Sequence, residues 1–162
     1  MNGAMMLPEF DHEMANTRKT LERVTDDMLA FSPHEKSWTA LQLAGHLARL
    51  PGWVSVTLES TELDLEEPFP QPELESSADI LATFDEAVNG ARAALEGASS
   101  EDLMVPWTLK MGEHEAFTMP RVGVLRSFVM NHIIHHRGQL TVYLRLNGAP
   151  VPALYGPSAD EE

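Results

Sequence analysis

Residues 131–146 read Asn-His-Ile-Ile-His-His-Arg-Gly-Gln-Leu-Thr-Val-Tyr-Leu-Arg-Leu. They fall inside a longer apolar segment, for which we predict a helix from about Pro120 to Leu146, ended by Asn147 and Gly148. A helix turns by about 100° per residue, so side chains at suitable spacings share its most buried line. The side chains on that line are Leu125, His132, His136, Gln139 and Tyr143. Two histidines therefore occupy positions where helical proteins ordinarily bury leucines.

Hydrophobic periodicity predicts three further helices. The first runs from about Glu9 to Met28, where apolar residues recur at alternating steps of three and four. The second begins at Thr39, because Thr39 and Gln42 match the spacing of a capping box. The third spans about Ser77 to Glu96. These helices predict an all-α protein with a single domain over residues 1–162.

The segments between the helices are less regular. Pro51 is expected to kink or break the second helix, since proline removes a hydrogen bond in a helix interior, and we predict a bend just past His46. Residues Leu63 to Glu75 carry three prolines and several acids, so we predict an exposed loop there. Val105–Lys110 and Ala116–Met119 flank Gly112, which predicts a short hairpin or an irregular crossover before the last helix.

Composition and charge exclude several classes of protein. The chain has 162 residues, 43% of them hydrophobic, which suffices for one folded domain. Its formal net charge of −14 opposes binding to nucleic acid and to anionic membranes. No apolar run approaches about 18 residues, so we expect no membrane span. Cysteine is absent and the first residues do not resemble a signal peptide, so we expect a cytoplasmic protein without disulfides.

His46 on the second helix is a candidate partner for His132 and His136. It lies three residues after Leu43 and four before Leu50, so it points inward with them. His132 and His136 are four residues apart, a spacing at which two imidazoles on one helix face can bind one metal ion. Burying three neutral imidazoles without partners would cost about 1–3 kcal/mol each. The residues alone leave two interpretations open, a metal site and a metal-free network of histidines in a polar core.

The residues beside this pair have weaker assignments. His135 lies about 100° from His136, so it is expected on the rim or against another helix. Gln139 and Tyr143 are the candidate catalytic residues, and Gln139 is one turn past His136, where it could contact a bound water or substrate. The alternatives are packing between helices for Gln139 and a role in the core for Tyr143.

Other residues nearby have structural explanations. Gly138 costs about 1 kcal/mol in a helix, which suggests the close approach of another helix. Arg137 points away from the predicted ligands and is expected in a structural ion pair. Trp38, Trp53 and Trp107 are expected to pack in an aromatic core or to line a pocket. No carboxylate is placed as an obvious general base.

Residues 131–146 closely resemble the signature of DinB/YfiT-like proteins. Residues 39–47, which read Thr-Ala-Leu-Gln-Leu-Ala-Gly-His-Leu, resemble the second-helix segment of that family. The tail from Gly148 to Asp160 resembles its C-terminus. The resemblance covers almost the whole chain, with only a general match from Glu59 to Glu101.

The resemblance implies a four-helix bundle with an unusual helix order and a long crossover. It implies a divalent metal, zinc or nickel, bound by one histidine of the second helix and two of the last. Those positions correspond to His46, His132 and His136 in this chain. It also implies a homodimer.

Relatives in this superfamily include thiol-dependent transferases and a thiol-dependent isomerase. The resemblance therefore implies an enzyme whose metal activates a low-molecular-weight thiol for attack on an electrophilic small molecule. A hydrolase that uses metal-bound water is an alternative, because three histidines leave coordination positions open. A non-enzymatic metal-binding protein of the stress response is a further alternative.

Overall fold

The computed structural model describes residues 2–67 and 71–162. Its α-helices are α1 (Leu7–Leu21), α2 (Ala40–Arg49), α3 (Trp53–Glu59), α4 (Ser77–Gly97), α5 (Ser100–Met104), α6 (Arg121–Gly123) and α7 (Asn131–Leu146). A π-helix, Val124–Met130, joins α6 to α7. Short 3-10 turns span Gly3–Met6, Asp26–Met28 and Leu50–Gly52. The strands are β1 (Glu62–Asp64), β2 (Pro106–Met111) and β3 (His114–Pro120).

Helix α2, which carries His46, begins where the sequence predicts. The Thr39 hydroxyl accepts a hydrogen bond from the Gln42 backbone N–H at 3.2 Å, and the Gln42 side chain accepts one from the Thr39 N–H at 2.9 Å. This capping box satisfies two backbone groups that the first turn of a helix leaves unpaired. Pro51 lies in the 3-10 turn that separates α2 from α3. The predicted bend just past His46 is therefore confirmed.

Helix α1 is shorter than predicted. It ends at Leu21, and a separate 3-10 turn contains Met28. Val24 and Met28 are nevertheless buried, so the apolar periodicity continues beyond the helix. The apolar periodicity predicts correctly which residues are buried. The prediction of one continuous helix is wrong, because apolar side chains can be buried at this spacing without regular helical hydrogen bonds.

A three-stranded mixed sheet shows that the expected all-α four-helix bundle is wrong. Strand β2 pairs with β3 in an antiparallel hairpin and with β1 in parallel. Along β2, Trp107 and Leu109 are buried while Thr108 between them is less so, the alternation that a strand requires. Gly112 in the turn has a φ of +60°, which glycine adopts without strain. The hairpin alternative for this segment is confirmed.

Strand β1 overlaps the segment predicted as a loop from Leu63 to Glu75. Its residues Glu62–Asp64 pair with Thr108–Lys110, which lie far along the chain. A local pattern does not predict such a long-range partner, so the first residues of the loop prediction are wrong. Pro68–Pro70 of the same prediction lie outside the described residues.

The segment predicted as one helix from Pro120 to Leu146 has several parts. Pro120 ends β3, α6 forms a single turn, and the π-helix leads into α7. A π-helix has a wider turn than an α-helix, so it changes the rotation of every later side chain about the axis. The directions in which the His132 and His136 side chains point therefore depend on the π-helix that precedes α7.

The helices enclose the main core, because α1 and α2 each pack against α4 and α7. Its largest fully buried members include Phe10, Leu21, Leu47, Phe84 and Leu125. A smaller apolar cluster of Trp107, Leu109 and Val124 lies against the hairpin. Within residues 2–67 and 71–162, no helix has the length and apolar character needed to cross a bilayer.

Candidate metal centre

Three histidines from two packed helices meet at one place. His46 lies on α2, and His132 and His136 lie on α7. The Nε2 atoms of His46 and His132 are 3.3 Å apart. One ring nitrogen from each of the three residues lies within 4.8 Å of the other two. The structure thus brings together the three residues that the sequence indicates, and we call them the histidine triad.

Partial burial keeps these imidazoles uncharged at neutral pH. Burial, with smaller effects of His136 and His132, lowers the pKa of His46 to about 4. Burial and the neighbouring His136 lower the pKa of His132 to about 4 as well. Burial also lowers the pKa of His136, against the raising effect of its hydrogen bond with Gln139. A neutral imidazole offers the lone pair that a metal ion requires.

Gln139 orients one ring of the triad. Nδ1 of His136 lies 2.7 Å from Oε1 of Gln139. A carbonyl oxygen only accepts hydrogen bonds, so Nδ1 carries the proton and Nε2 keeps its lone pair. Hydrogen bonds of this kind fix the tautomer of metal-binding histidines. Nδ1 of His132, by contrast, is buried without a hydrogen-bond partner among the described residues.

Aromatic rings flank the triad. The indole of Trp38 stacks on His136, with 5.6 Å between ring centroids and 23° between ring planes. The same indole meets His46 edge-on at 5.2 Å. Phe128 lies 5.5 Å from His132. These rings pack against the imidazoles of the triad and contribute to their partial burial.

A cavity of about 460 Å³ reaches the triad at His136. It lies between α7 and the loop that precedes α2. Its lining includes Lys36, Trp38, His136, Gln139, Val142 and Tyr143, and no carboxylate contributes to it among the described residues. This volume lies in the range of small-molecule binding sites.

The donor set fits a divalent ion. Tetrahedral zinc binds imidazole nitrogens at about 2.0–2.1 Å, which places two donor atoms about 3.3–3.4 Å apart. The separation of 3.3 Å between the Nε2 atoms of His46 and His132 matches this spacing. Imidazole also suits nickel. Three neutral donors leave a coordination position for solvent or substrate.

The other predicted site residues lie around the triad. Tyr143 is buried and donates its hydroxyl to the backbone oxygen of Trp38 at 2.9 Å. His135 is exposed, and its nitrogen atoms are not part of the triad. Arg137 forms the expected structural ion pair, because its Nη2 lies 2.7 Å from the Glu13 carboxylate in the protein interior.

The expectations for the tryptophans and for Gly138 have different outcomes: the tryptophans pack in the core or line a cavity as expected, whereas Gly138 does not behave as expected. Trp107 is fully buried in the smaller cluster, and Trp53 packs against Phe128, so Trp38 is the tryptophan that contacts the triad. A Cβ atom added at Gly138 would meet nothing within 4 Å in the described structure. The close helix approach expected at Gly138 is therefore not found.

No motif in the sequence predicts the contribution of the loop before α2 to the site. This loop brings Lys36 and Trp38 to the cavity beside His136. A partial signal was present, since Trp38 directly precedes Thr39, the residue that starts the His46 helix. How far the loop extends over α7 depends on tertiary packing that no local pattern encodes.

Comparison with known proteins agrees with this description. The sequence model of the DinB family matches residues 1–162. The uncharacterized protein YrdA of Bacillus subtilis (strain 168) is 30% identical over 156 residues, which cover 96% of this chain and 89% of that protein. The crystal structure of a DinB-like protein from Bacillus cereus ATCC 10987 matches with a TM-score of 0.72 and 25% identity, over 93% of this chain and 95% of that one.

The crystal structure of the DinB-like protein YjoA from Bacillus subtilis has the same TM-score of 0.72 at 20% identity, over 94% of this chain and 99% of that one, and shows similarity of fold. The resemblance drawn from the sequence is confirmed at the level of the family. This chain belongs to the DinB family.

Proposed function

We propose that this protein is a metal-dependent enzyme that transfers a small thiol to an electrophilic substrate. The observation that carries the proposal is the histidine triad of His46, His132 and His136, one member of which, His136, lines the 460 Å³ cavity. Structural zinc sites are ordinarily closed by four protein ligands, whereas catalytic sites keep one position open. Three protein donors beside a cavity support the second type.

The ring nitrogens of the triad would hold zinc or nickel. When bound, such an ion is a Lewis acid that lowers the pKa of a coordinating thiol. Gln139 keeps the proton of His136 on Nδ1, so that Nε2 remains a donor. Trp38 packs against His136 and Phe128 packs against His132.

In the proposed reaction, the thiol S–H bond breaks and the sulfur forms a bond to an electrophilic carbon of the second substrate. The bond between that carbon and its leaving group breaks, so the leaving group departs with the bonding electrons and the thiol proton is released. The chain has no cysteine, so the thiol is a substrate and not a side chain. Zinc hydrolases with a His-Glu-x-x-His motif use a glutamate as general base. No carboxylate lines this cavity within the described residues, which favours the thiol reaction over hydrolysis.

The test is a transfer assay with zinc-loaded and nickel-loaded protein. We would use cysteine, glutathione and coenzyme A as thiols and 1-chloro-2,4-dinitrobenzene as the electrophile. Transfer is expected to require both the metal and a thiol, to be lost in His136→Ala, and to persist in the control His135→Ala. Failure of every thiol to react faster than without protein would overturn the proposal. Metal-dependent turnover of ester substrates without any thiol would favour the hydrolase.

We also propose that the protein acts in the cytoplasm as a homodimer. A chain without cysteine gains no stability from an oxidising compartment. Val142 and Leu146 on α7 are 55% and 58% exposed, and an apolar strip of this kind can be covered by a second copy. Light scattering is expected to give the mass of two chains for the wild type. A monomeric mass at working concentration would contradict the dimer.

A further inference from the structure

The cavity at His136 presents an unusual exposed tryptophan. Trp38 is 45% exposed although its indole is large and apolar. One part of the ring stacks on His136, and the side chain also lines the cavity. A large apolar ring left partly in water beside a small-molecule cavity is a surface on which a flat apolar group can stack.

The loop that carries Trp38 is held in place by hydrogen bonds. The Ser32 hydroxyl contacts the backbone oxygens of His34 and Ser37 at 2.7 and 3.1 Å. The Lys36 backbone N–H donates to Nδ1 of His34 at 3.1 Å. The Tyr143 hydroxyl donates to the Trp38 backbone oxygen at 2.9 Å. The indole is therefore positioned before any ligand binds, which reduces the entropy lost on binding.

Lys36 supplies a positive charge to the same cavity. The described residues that line this cavity include Lys36 but no arginine, aspartate or glutamate. Lys36 forms no ion pair with a carboxylate in the described part of the chain. Its ammonium group is thus available to a ligand with a carboxylate.

Gln139 adds a directional donor. Its Oε1 accepts from His136, so its amide Nε2 remains to donate a hydrogen bond into the cavity. Three groups therefore converge on the cavity with different chemistry. Trp38 offers a flat apolar face, Lys36 a positive charge and Gln139 a neutral donor.

We infer that this cavity binds a small organic anion whose flat aromatic or conjugated part stacks on Trp38 and whose carboxylate contacts Lys36. The idea that this anion is the substrate of the reaction rests on the proposed function. The idea that the cavity binds such an anion depends on Trp38 and Lys36 alone. His136 lines the same cavity, so a molecule bound there lies next to one member of the triad.

The experiment compares 2-naphthoate with 2-naphthamide, which share the flat ring system and differ in charge. Dissociation constants are measured by NMR titration with metal-free and zinc-loaded protein. The wild type is expected to bind naphthoate about fivefold more tightly than naphthamide, the ratio expected for a partly exposed ion pair. Lys36→Gln is expected to lose this ratio. Lys19→Gln, which removes an exposed lysine outside the cavity, is expected to keep it.

Trp38→Leu tests the stacking surface. It is expected to weaken binding of both probes about fivefold, because it removes the aromatic contact and leaves Lys36 in place. Both substitutions lie in an exposed loop, and circular dichroism checks that the fold is kept. The inference is overturned if Lys36→Gln keeps the preference for naphthoate, if Trp38→Leu binds both probes as the wild type does, or if neither probe binds at millimolar concentration.

The two proposals fail in different ways. Binding of naphthoate to metal-free protein needs neither zinc nor thiol transfer. If the transfer assay fails while the Lys36 and Trp38 effects are found, the cavity assignment stands without the proposed reaction. If the transfer assay succeeds without these effects, the anion site is wrong and the reaction stands.

Discussion

The Nε2 atoms of His46 and His132 lie 3.3 Å apart, although 86 positions separate these residues in the sequence. Two neutral imidazoles at this distance either share a proton in one hydrogen bond or direct two lone pairs to one ion. His136 brings a third nitrogen to the same place. One ion can use all three lone pairs, whereas a single shared proton uses one.

Replacing Gln139 tests how the third ring is oriented. Gln139→Ala removes the acceptor that holds the proton on Nδ1 of His136. Zinc affinity is expected to fall about 10-fold or more, the usual effect of removing a partner of a metal-binding histidine. Gln139→Glu keeps an acceptor oxygen at this position and is expected to retain most of the affinity. Competition with a chelator of known zinc affinity measures both, and an unchanged affinity in Gln139→Ala would show that this hydrogen bond does not support the site.

The stability of the metal-free protein is expected to fall as the pH decreases from about 6.5 to about 4. The pKa of His46 and of His132 is about 4 in the folded protein and 6.5 in the unfolded chain, chiefly because of burial. In this window the unfolded chain binds more protons, so acidification favours unfolding. The stabilising contribution is complete above pH 6.5 and is lost as the pH falls towards 4.

Urea unfolding of metal-free protein at pH 7 and pH 5 measures this effect. His46→Asn removes one of the two groups, so its free energy of unfolding is expected to change less between the two pH values. The same loss in the variant and the wild type would assign the pH dependence to other groups.

Part of this architecture is predictable from local sequence. The Thr39 and Gln42 spacing predicts the start of α2 because a capping box involves residues three positions apart. The spacing of His132 and His136 places both on one face of α7, and the apolar neighbours of His46 direct it inward. These signals depend on a few neighbouring residues, so the candidate metal ligands can be predicted without knowledge of the tertiary structure.

The remainder depends on contacts between distant segments. Strand β1 exists because Glu62–Asp64 finds a parallel partner in β2, which no local pattern reveals. The π-helix at Val124–Met130 consists mostly of apolar residues, which a buried α-helix would accommodate equally well. The cavity forms only when the Lys36–Trp38 loop packs beside α7.

Arg137→Met is expected to lower the free energy of unfolding by about 3–5 kcal/mol. The Arg137 and Glu13 side chains are 1% and 8% exposed, so the substitution leaves a buried carboxylate without its cation. Arg137 also donates to the Thr17 hydroxyl at 3.2 Å. Chemical denaturation measures the change.

The control for this substitution is an exposed ion pair. Asp11→Asn breaks the ion pair between Asp11 and Arg92, whose side chains are 45% and 46% exposed, respectively. This substitution is expected to lower the free energy of unfolding by less than about 1 kcal/mol. Similar small effects of Arg137→Met and Asp11→Asn would mean that the buried pair contributes little to stability.

Gly138→Ala is expected to raise the free energy of unfolding by about 0.5–1 kcal/mol. Gly138 lies inside α7, where alanine is favoured over glycine, and an added Cβ meets no atom within 4 Å. Thermal and urea unfolding measure the change. A decrease would show that a partner or ligand packs against this face of α7.

The metal content of the purified protein tests the central claim most directly. Tag-free wild type, His46→Ala, His132→Ala, His136→Ala and the control His135→Ala would be loaded with zinc or nickel, dialysed and analysed by plasma mass spectrometry. We expect about one ion per chain in the wild type and in His135→Ala, and loss of the ion in each triad variant. Stoichiometric metal in all three triad variants, or no metal in the wild type after loading, would contradict the account.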